Sequence, residues 1–315
     1  MTTTRAAVIQ AATRPFDPHG ALDLVAAWTE KAAAERSQLV VFPEAFVGGY
    51  PKGSDFGTVV GFRTTEGREA YRAYFESSIT VPGPEVDILA SISRDTGTYL
   101  IVGVIERDGS TLYCSILSFD PEGRLLGKRR KLIGVGTERL IFGWGDGSGL
   151  TVHDTPAGRL GTLMCWENLM PAARMAMYTQ EVQIYCAPTA VGTPIDVSTA
   201  RHIAREGRCF VLAAHMYMRE WDNFPSHYQP AHADGSGLGT SRGGSTIVGP
   251  NGDVLAGPIW DEEAMLIADL DLDEIIRWKY DFDVVGHFAR PDIFTLAVDR
   301  TPRAAVNNRA ATRDE

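Results

Sequence analysis

The chain has 315 residues, a formal net charge of −10, 44% hydrophobic residues and 22% charged residues, which excludes a disordered or collagen-like polymer. The acidic balance, with one basic run at 128–131, argues against a nucleic-acid surface, and no apolar run approaches the ~18 residues of a membrane span. The start MTTTRAAVIQAA lacks a signal-peptide core, and four cysteines without a CxxC pair exclude a disulfide framework or structural zinc, so a reduced, cytoplasmic protein is expected.

Taken in chain order, residues 6–10 read as a short strand and 21–36 as an Ala-rich helix with Leu22, Val25, Trp28 and Ala32 at helical spacing. Residues 38–42 are a continuous apolar strand ending at Pro43, the pattern of a sheet covered on both faces. Residues 48–61 form a Gly- and aromatic-rich loop. The segment 66–77 is helical, with Tyr71, Tyr74, Phe75 and Ser78 on one face. A second helix, 84–95, has Pro84 in its first turn and Gly97 as its stop. Strands at 99–106 and 111–119 flank the hairpin signal Asp108-Gly109, and Asp120-Pro-Glu-Gly123 turns into a strand at 124–131.

Later segments alternate strand and helix: 159–164, 171–180, 182–187, 196–207 and 210–214, which means βα units. Strands at 245–248, 253–256 and 265–269 repeat the strand, x-Pro-x-Gly turn, strand pattern of the first half. Two such units predict a pseudo-symmetric sheet pair, although Pro-x-Gly makes good hairpin turns anywhere. A helix at 271–280 follows. No composition break marks a boundary, so one domain over 1–299 is expected, with a disordered polar tail at 300–315. The expected class is α/β, sheets carrying helices on their outer faces.

Four residues carry candidate chemistry. Cys165 lies between an apolar strand and a helix, where backbone N–H groups and the helix dipole favour a thiolate. A buried core thiol is the commoner fate of a free cysteine, and it is the reading for Cys114, Cys186 and Cys209. Glu44 ends a strand in FPEAF beside a Gly-rich loop; its position suits a general base, or simply a solvated turn. Strand alternation in Lys128-Arg-Arg-Lys131 puts Arg129 and Lys131 on one face and Lys128 and Arg130 on the other. One of the four is expected to point inward toward an acid or a developing anion. Glu138 follows in a Gly-rich wrapping loop that lacks the GxxxxGK[ST] pattern of a phosphate cradle. No HExxH or GxSxG elbow occurs, and a His227, His232, Asp234 metal site is a weak alternative.

Taken together these motifs resemble the nitrilase superfamily: FPEAFVGGYPKG around Glu44, KRRKLIGVGTERLIFGWGDGSG around Lys131 and Glu138, and LGTLMCWENLMP around Cys165. RHIAREGRCFVL, GGSTIVGPNGDVLAGP and GHFARPDIF extend the resemblance over nearly the whole chain. The CWEN string and the GTERL loop resemble the true nitrilase branch. The resemblance implies a four-layer αββα sandwich, with Cys165 as nucleophile, Glu44 as general base, Lys131 as the cation at the transition state and Glu138 as a supporting fourth member. It implies hydrolysis of an organic nitrile to the carboxylic acid and ammonia through a thioimidate and a thioester, without metal or organic cofactor. The alternatives are a cyanide hydratase or cyanoalanine-type enzyme that stops at the amide, and, further off, an amidase or carbamoylase. By the same resemblance Trp166, Tyr50, Thr189 and Val191 line the substrate pocket. Nitrilases often carry an acidic residue and a bulky aromatic where this chain has Val191 and Gly192, which implies a roomier pocket. Homodimers through the helices 171–180 and 196–207 are expected, extended to a larger oligomer or spiral filament by 53–65 and 221–241.

Overall fold

The computed structural model describes residues 3–218 and 241–303. The first half runs β1 (Thr3–Gln10), α1 (Pro18–Ala34), β2 (Leu39–Val41), the two-residue strands β3 (Thr58–Val59) and β4 (Phe62–Arg63), α2 (Thr65–Glu76), α3 (Pro84–Thr96), β5 (Tyr99–Asp108), β6 (Thr111–Phe119) and β7 (Leu125–Arg130). The second half runs β8 (His153–Thr155), β9 (Gly158–Thr162), α4 (Pro171–Tyr178), β10 (Ile184–Cys186), α5 (Pro194–Gly207), β11 (Phe210–Ala213), β12 (Tyr217–Met218), β13 (Ser241–Val248), β14 (Val254–Trp260), β15 (Ala264–Asp271) and α6 (Asp273–Lys279).

Two sheets result. One has the order β15-β1-β2-β5-β6-β7; the other has β12-β13-β11-β10-β9-β8, with β14 on β13. Each is built around three parallel strands, β1-β2-β5 and β9-β10-β11, followed by an antiparallel meander. This is the pseudo-symmetric pair that the repeated turn pattern predicts, except that β15, expected in the second unit, crosses to pair with β1 of the first sheet.

Period-2 alternation on strands buried on both faces sorts their side chains into three apolar layers. Leu39, Val41, Ile101 and Ile116 meet Leu160, Ile184, Phe210 and Leu212 between the sheets. Val40, Leu100, Val102 and Leu117 face away, under α1 and α3. Tyr185, Val211 and Ala213 face α4 and α5 on the opposite outer side. The layers are therefore helix, sheet, sheet, helix: the αββα sandwich.

Local signals explain the ends of the elements. Pro84 occupies the first turn of α3, and Gly97 closes it at φ 66°. The hairpin is one residue off its predicted place. Asp108 pairs with Thr111, so the two-residue turn is Gly109-Ser110, with Gly109 at φ 58°. The sequence 38–42 supplies a strand of only three residues, because Pro43 and Glu44 leave the ladder. Of the expected tail, residues 300–303 are described, and Arg303 donates its backbone N–H to Asp146 at 2.6 Å; residues 304–315 lie outside the described residues. So do His227, His232, Asp234 and most of the 221–241 stretch. Among the described residues no helix is long and apolar enough to cross a membrane.

Candidate active site

The parallel strands β2 and β9 each end in a residue of interest. After β2, Gly103 on β5 donates to Pro43 O (3.2 Å) and accepts from Val47 N–H (3.0 Å), so residues 44–46 bulge out of the ladder, with Ala45 at φ 52°. Glu44 projects from this bulge and is fully buried. After β9, Cys165 opens a five-residue 3₁₀ turn, Cys165–Leu169. Cys165 itself has φ 52°, a left-handed conformation uncommon for a non-glycine residue and concentrated at functional sites. Lys131 extends β7, its N–H donating to Cys114 O at 2.8 Å. Glu138 comes from a 3₁₀ turn, Gly136–Leu140.

These elements converge. Lys131 Nζ donates to Glu44 Oε1 at 2.6 Å and to Glu138 Oε2 at 2.9 Å, with Lys131 and Glu44 at most 2% exposed. Ala190 N–H donates to Glu44 Oε2 at 2.9 Å. Glu138 also accepts from Val135 N–H (3.0 Å) and from the Tyr50 hydroxyl (2.5 Å). One ammonium is thus held between two carboxylates, each tied to backbone. Burial alone would lower the Lys131 ammonium; the neighbouring Glu44 carboxylate, with Glu138, outweighs it and holds it firmly protonated. The charged groups act on Cys165 in the opposite balance. Burial and the Glu44 carboxylate push its thiol well above the ordinary value, while Lys131 and the Trp166 N–H oppose them.

The site's position at the carboxyl ends of parallel strands is where α/β sheets place chemistry. A family model described as carbon-nitrogen hydrolase matches residues 5–280. The chain belongs to the carbon-nitrogen hydrolase family. Within it the chain falls in the nitrilase branch. It is 49% identical to a nitrilase of Bradyrhizobium diazoefficiens, over 99% of this chain and 97% of that protein. It is 49% identical to an aliphatic nitrilase of Sinorhizobium fredii, over 98% of this chain and all of that protein. A bifunctional nitrilase/nitrile hydratase of Nicotiana tabacum is also 49% identical, over 94% of this chain and 86% of its own length. The fold matches a solved double mutant of the amidase from Nesterenkonia sp. AN1 in complex with acrylamide. That match has a TM-score of 0.67 and 23% identity, and covers 88% of this chain and 94% of that one.

Several features of this carbon-nitrogen hydrolase depart from the sequence expectations. The thiolate expected at Cys165 is not favoured at rest, because burial and a carboxylate outweigh a short 3₁₀ turn. Tyr50 is half-buried, and its hydroxyl donates to Glu138. Trp166 is 58% exposed. Thr189 and Trp166 line a narrow cavity of about 20 Å³ with Cys165, Asp196 and His215. Val191 is half-buried. The expected extra room at Gly192 is absent: a Cβ there would run into the Gly243 carbonyl oxygen and the His215 ring.

Two inward-facing cations replace the one expected from 128–131. Lys131 serves the site and Arg129 pairs with Glu167 at 2.6 Å, while Lys128 and Arg130 both bind Glu106 on the other face. Cys114, read as core filler, is buried but donates its thiol to Glu44 Oε1 at 3.4 Å. Its register beside Lys131 was available from the hairpin pairing. Among the described residues no cluster of three or more His, Cys, Asp or Glu is placed to hold a metal ion.

A Cβ on Gly103 would stand 2.6 Å from Glu44 Cα and 2.5 Å from Ala45 N. Gly103→Ala is therefore expected to displace the Glu44 bulge and to lower activity about 100-fold, since an ångström of misplacement costs that much. The measurement is kcat on the folded variant, and activity within about threefold of wild type would contradict the reading. A thiol raised above its ordinary range is protonated below that value, and its thiolate grows with pH. Alkylation of Cys165 by iodoacetamide is expected to accelerate about tenfold per pH unit between about pH 7 and about pH 9, without a plateau. A plateau below about pH 7 would show a standing thiolate instead.

Proposed function

We propose that the protein is a nitrilase, converting an organic nitrile to its carboxylic acid and ammonia at Cys165, with Glu44, Lys131 and Glu138. The observation that carries this is the Lys131 ammonium clamped between two buried carboxylates beside a protonated thiol. The extended identity with proteins named nitrilases supports the nitrile as substrate.

The arrangement suits a soft nucleophile that is uncovered only when needed. Glu44 takes the Cys165 proton as sulfur attacks the nitrile carbon, and passes it to nitrogen, giving a neutral thioimidate. Water, deprotonated by Glu44, adds to that carbon and forms a tetrahedral centre. Lys131 and the Trp166 N–H offer positive charge to the developing anion. The C–N bond breaks, ammonia leaves with the proton returned by Glu44, and a thioester remains. A second water then cleaves the C–S bond, releasing acid and restoring the thiol. Glu138, held by Tyr50 and Val135, fixes Lys131 rather than transferring protons.

If the C–S bond of the tetrahedral centre breaks first, the product is the amide. That second reading is favoured by the likeness to the tobacco protein named as both nitrilase and nitrile hydratase. The same reading assigns Trp166, Thr189 and Val191 to the substrate's surroundings, with Tyr50 contributing through Glu138. It also takes residues 1–299 as one domain and, from the outward-facing α4 and α5, a homodimer that extends to larger assemblies. Purified protein is incubated with aliphatic, aromatic and arylaceto- nitriles, and ammonia and product mass are measured. Acid with stoichiometric ammonia is the expected result. Amide without ammonia would select the hydratase reading, and no turnover of any nitrile would overturn both.

A further inference from the structure

The turn after Cys165 contains a buried carboxylate that the reaction above does not use. Glu167 is 2% exposed. Its Oε2 accepts from Met164 N–H at 2.8 Å, the residue that enters Cys165. Its Oε1 accepts from Leu132 N–H at 2.6 Å, the residue that leaves Lys131. Arg129 Nη2 lies 2.6 Å from Oε2 as a buried ion pair; Arg129 Nε and Nη1 make no hydrogen bond among the described residues. One side chain therefore connects the two sheets at the point where their site residues emerge.

The neighbouring residue completes the clamp. Asn168 Nδ2 donates to the Cys165 carbonyl at 2.8 Å, and its Oδ1 accepts from the Tyr185 hydroxyl at 2.7 Å. A left-handed non-glycine residue persists only where its surroundings over-determine it. Here the Met164 N–H before the nucleophile goes to Glu167, and the carbonyl of the nucleophile goes to Asn168.

We propose that Glu167 is a positioning residue, bridging the backbone on either side of the site so that the Cys165 thiol and the Lys131 ammonium keep one spacing. This rests on Cys165 and Lys131 acting as described under the proposed function. Glu167 touches no reacting atom; it acts through Met164 and Leu132. The neighbouring charges that set the thiol's protonation are Glu44, Lys131 and Glu138. Of these Lys131 favours the thiolate, so a loosened spacing weakens that contribution.

The test uses three variants. Glu167→Gln keeps the shape but offers one acceptor oxygen to two N–H groups, and leaves Arg129 without its counter-charge. Arg129→Met with Glu167→Gln removes the charge imbalance while the bridge stays broken. Arg129→Lys keeps both bridge bonds and the ion pair. The double variant is expected to regain the melting temperature of wild type, yet to keep kcat about 100-fold down with KM within about threefold. Its Cys165 alkylation profile is expected to move to higher pH, and Arg129→Lys is expected to keep both kcat and profile near wild type.

Recovery of kcat together with melting temperature in the double variant would overturn the proposal, because the role would then be structural only. An unmoved alkylation profile would overturn it as well, whether or not any nitrile is turned over. Absence of turnover in the wild type, with the profile shifted as expected, would count against the nitrilase reading and leave the bridge supported.

Discussion

Cys165→Ala is expected to remove nitrile turnover by a factor of at least about 10⁴ while leaving the fold in place, since losing a covalent nucleophile removes the whole reaction path. The side chain is half-buried and makes only the end of the inter-sheet core, so the melting temperature is expected to stay near wild type. Cys165→Ser is expected to be as inactive: the hydroxyl is a harder group to deprotonate, and Glu44 is matched to a thiol. Mass spectrometry of wild type mixed with substrate is expected to show an adduct at Cys165 that both variants lack. Cys165→Gly separates chemistry from strain. At φ 52° a Cβ is disfavoured by ~1 kcal/mol or more, so glycine relieves local strain as it deletes the thiol. Its melting temperature is expected to equal or exceed that of Cys165→Ala. Residual turnover above ~1% of wild type in the alanine variant would place the nucleophile elsewhere.

The fold was legible where short-range chemistry sets it. Pro84 and Gly97 bound α3 because one lacks an N–H that a first turn does not need and the other tolerates the left-handed closing residue. The three central strands of each half read as continuous apolar runs because both their faces are buried. The Gly109-Ser110 turn lies one residue on from Asp108-Gly109, since Asp108 pairs with Thr111 in the ladder and Gly109 supplies the positive φ.

The site was legible in a different way. Glu44 and Lys131 are 87 residues apart and meet only because β2 and β7 belong to one sheet. No local pattern carries that; the motifs around them did, through resemblance. What neither route revealed follows from burial. The left-handed backbone of Cys165 has no residue-type signal, since glycine is the usual sign and cysteine is not. The elevated thiol reflects the Glu44 carboxylate and exclusion of water, which only tertiary structure sets. Gly192 resembled a missing side chain, but the β-bridge between Thr189 and His215 and the Gly243 carbonyl already occupy that space. Arg129 and Glu167 were both visible, in KRRK and CWEN. Their pairing was not, because alternation gives the face of a strand and not the partner that waits across the interior.

The second large effect is expected from Lys131→Met, a substitution of similar length without the charge. Two carboxylates at 2.6 Å and 2.9 Å from Nζ lose the cation they share. Breaking a buried ionic cluster by removing one partner costs ~3–5 kcal/mol, because the remaining charge is stranded. In a protein of this size that lowers the melting temperature by roughly 10 °C. Turnover is expected to fall at least ~10³-fold, since the charge offered to the tetrahedral centre goes too.

The pH dependence distinguishes this from a packing defect. In wild type the ammonium's pKa is raised above its unfolded value. Its contribution is therefore complete throughout the neutral range and is lost only as pH rises through the folded value. The stability gap to wild type is therefore expected to hold across the neutral range and to close only in strong alkali. Adding Glu138→Gln to Lys131→Met removes one of the two negative charges. The double variant is expected to recover most of the lost stability and none of the activity, a coupling that additive, independent sites would not show. Equal melting temperatures for wild type and Lys131→Met at neutral pH would mean that the charge clamp around Lys131 does not exist in solution.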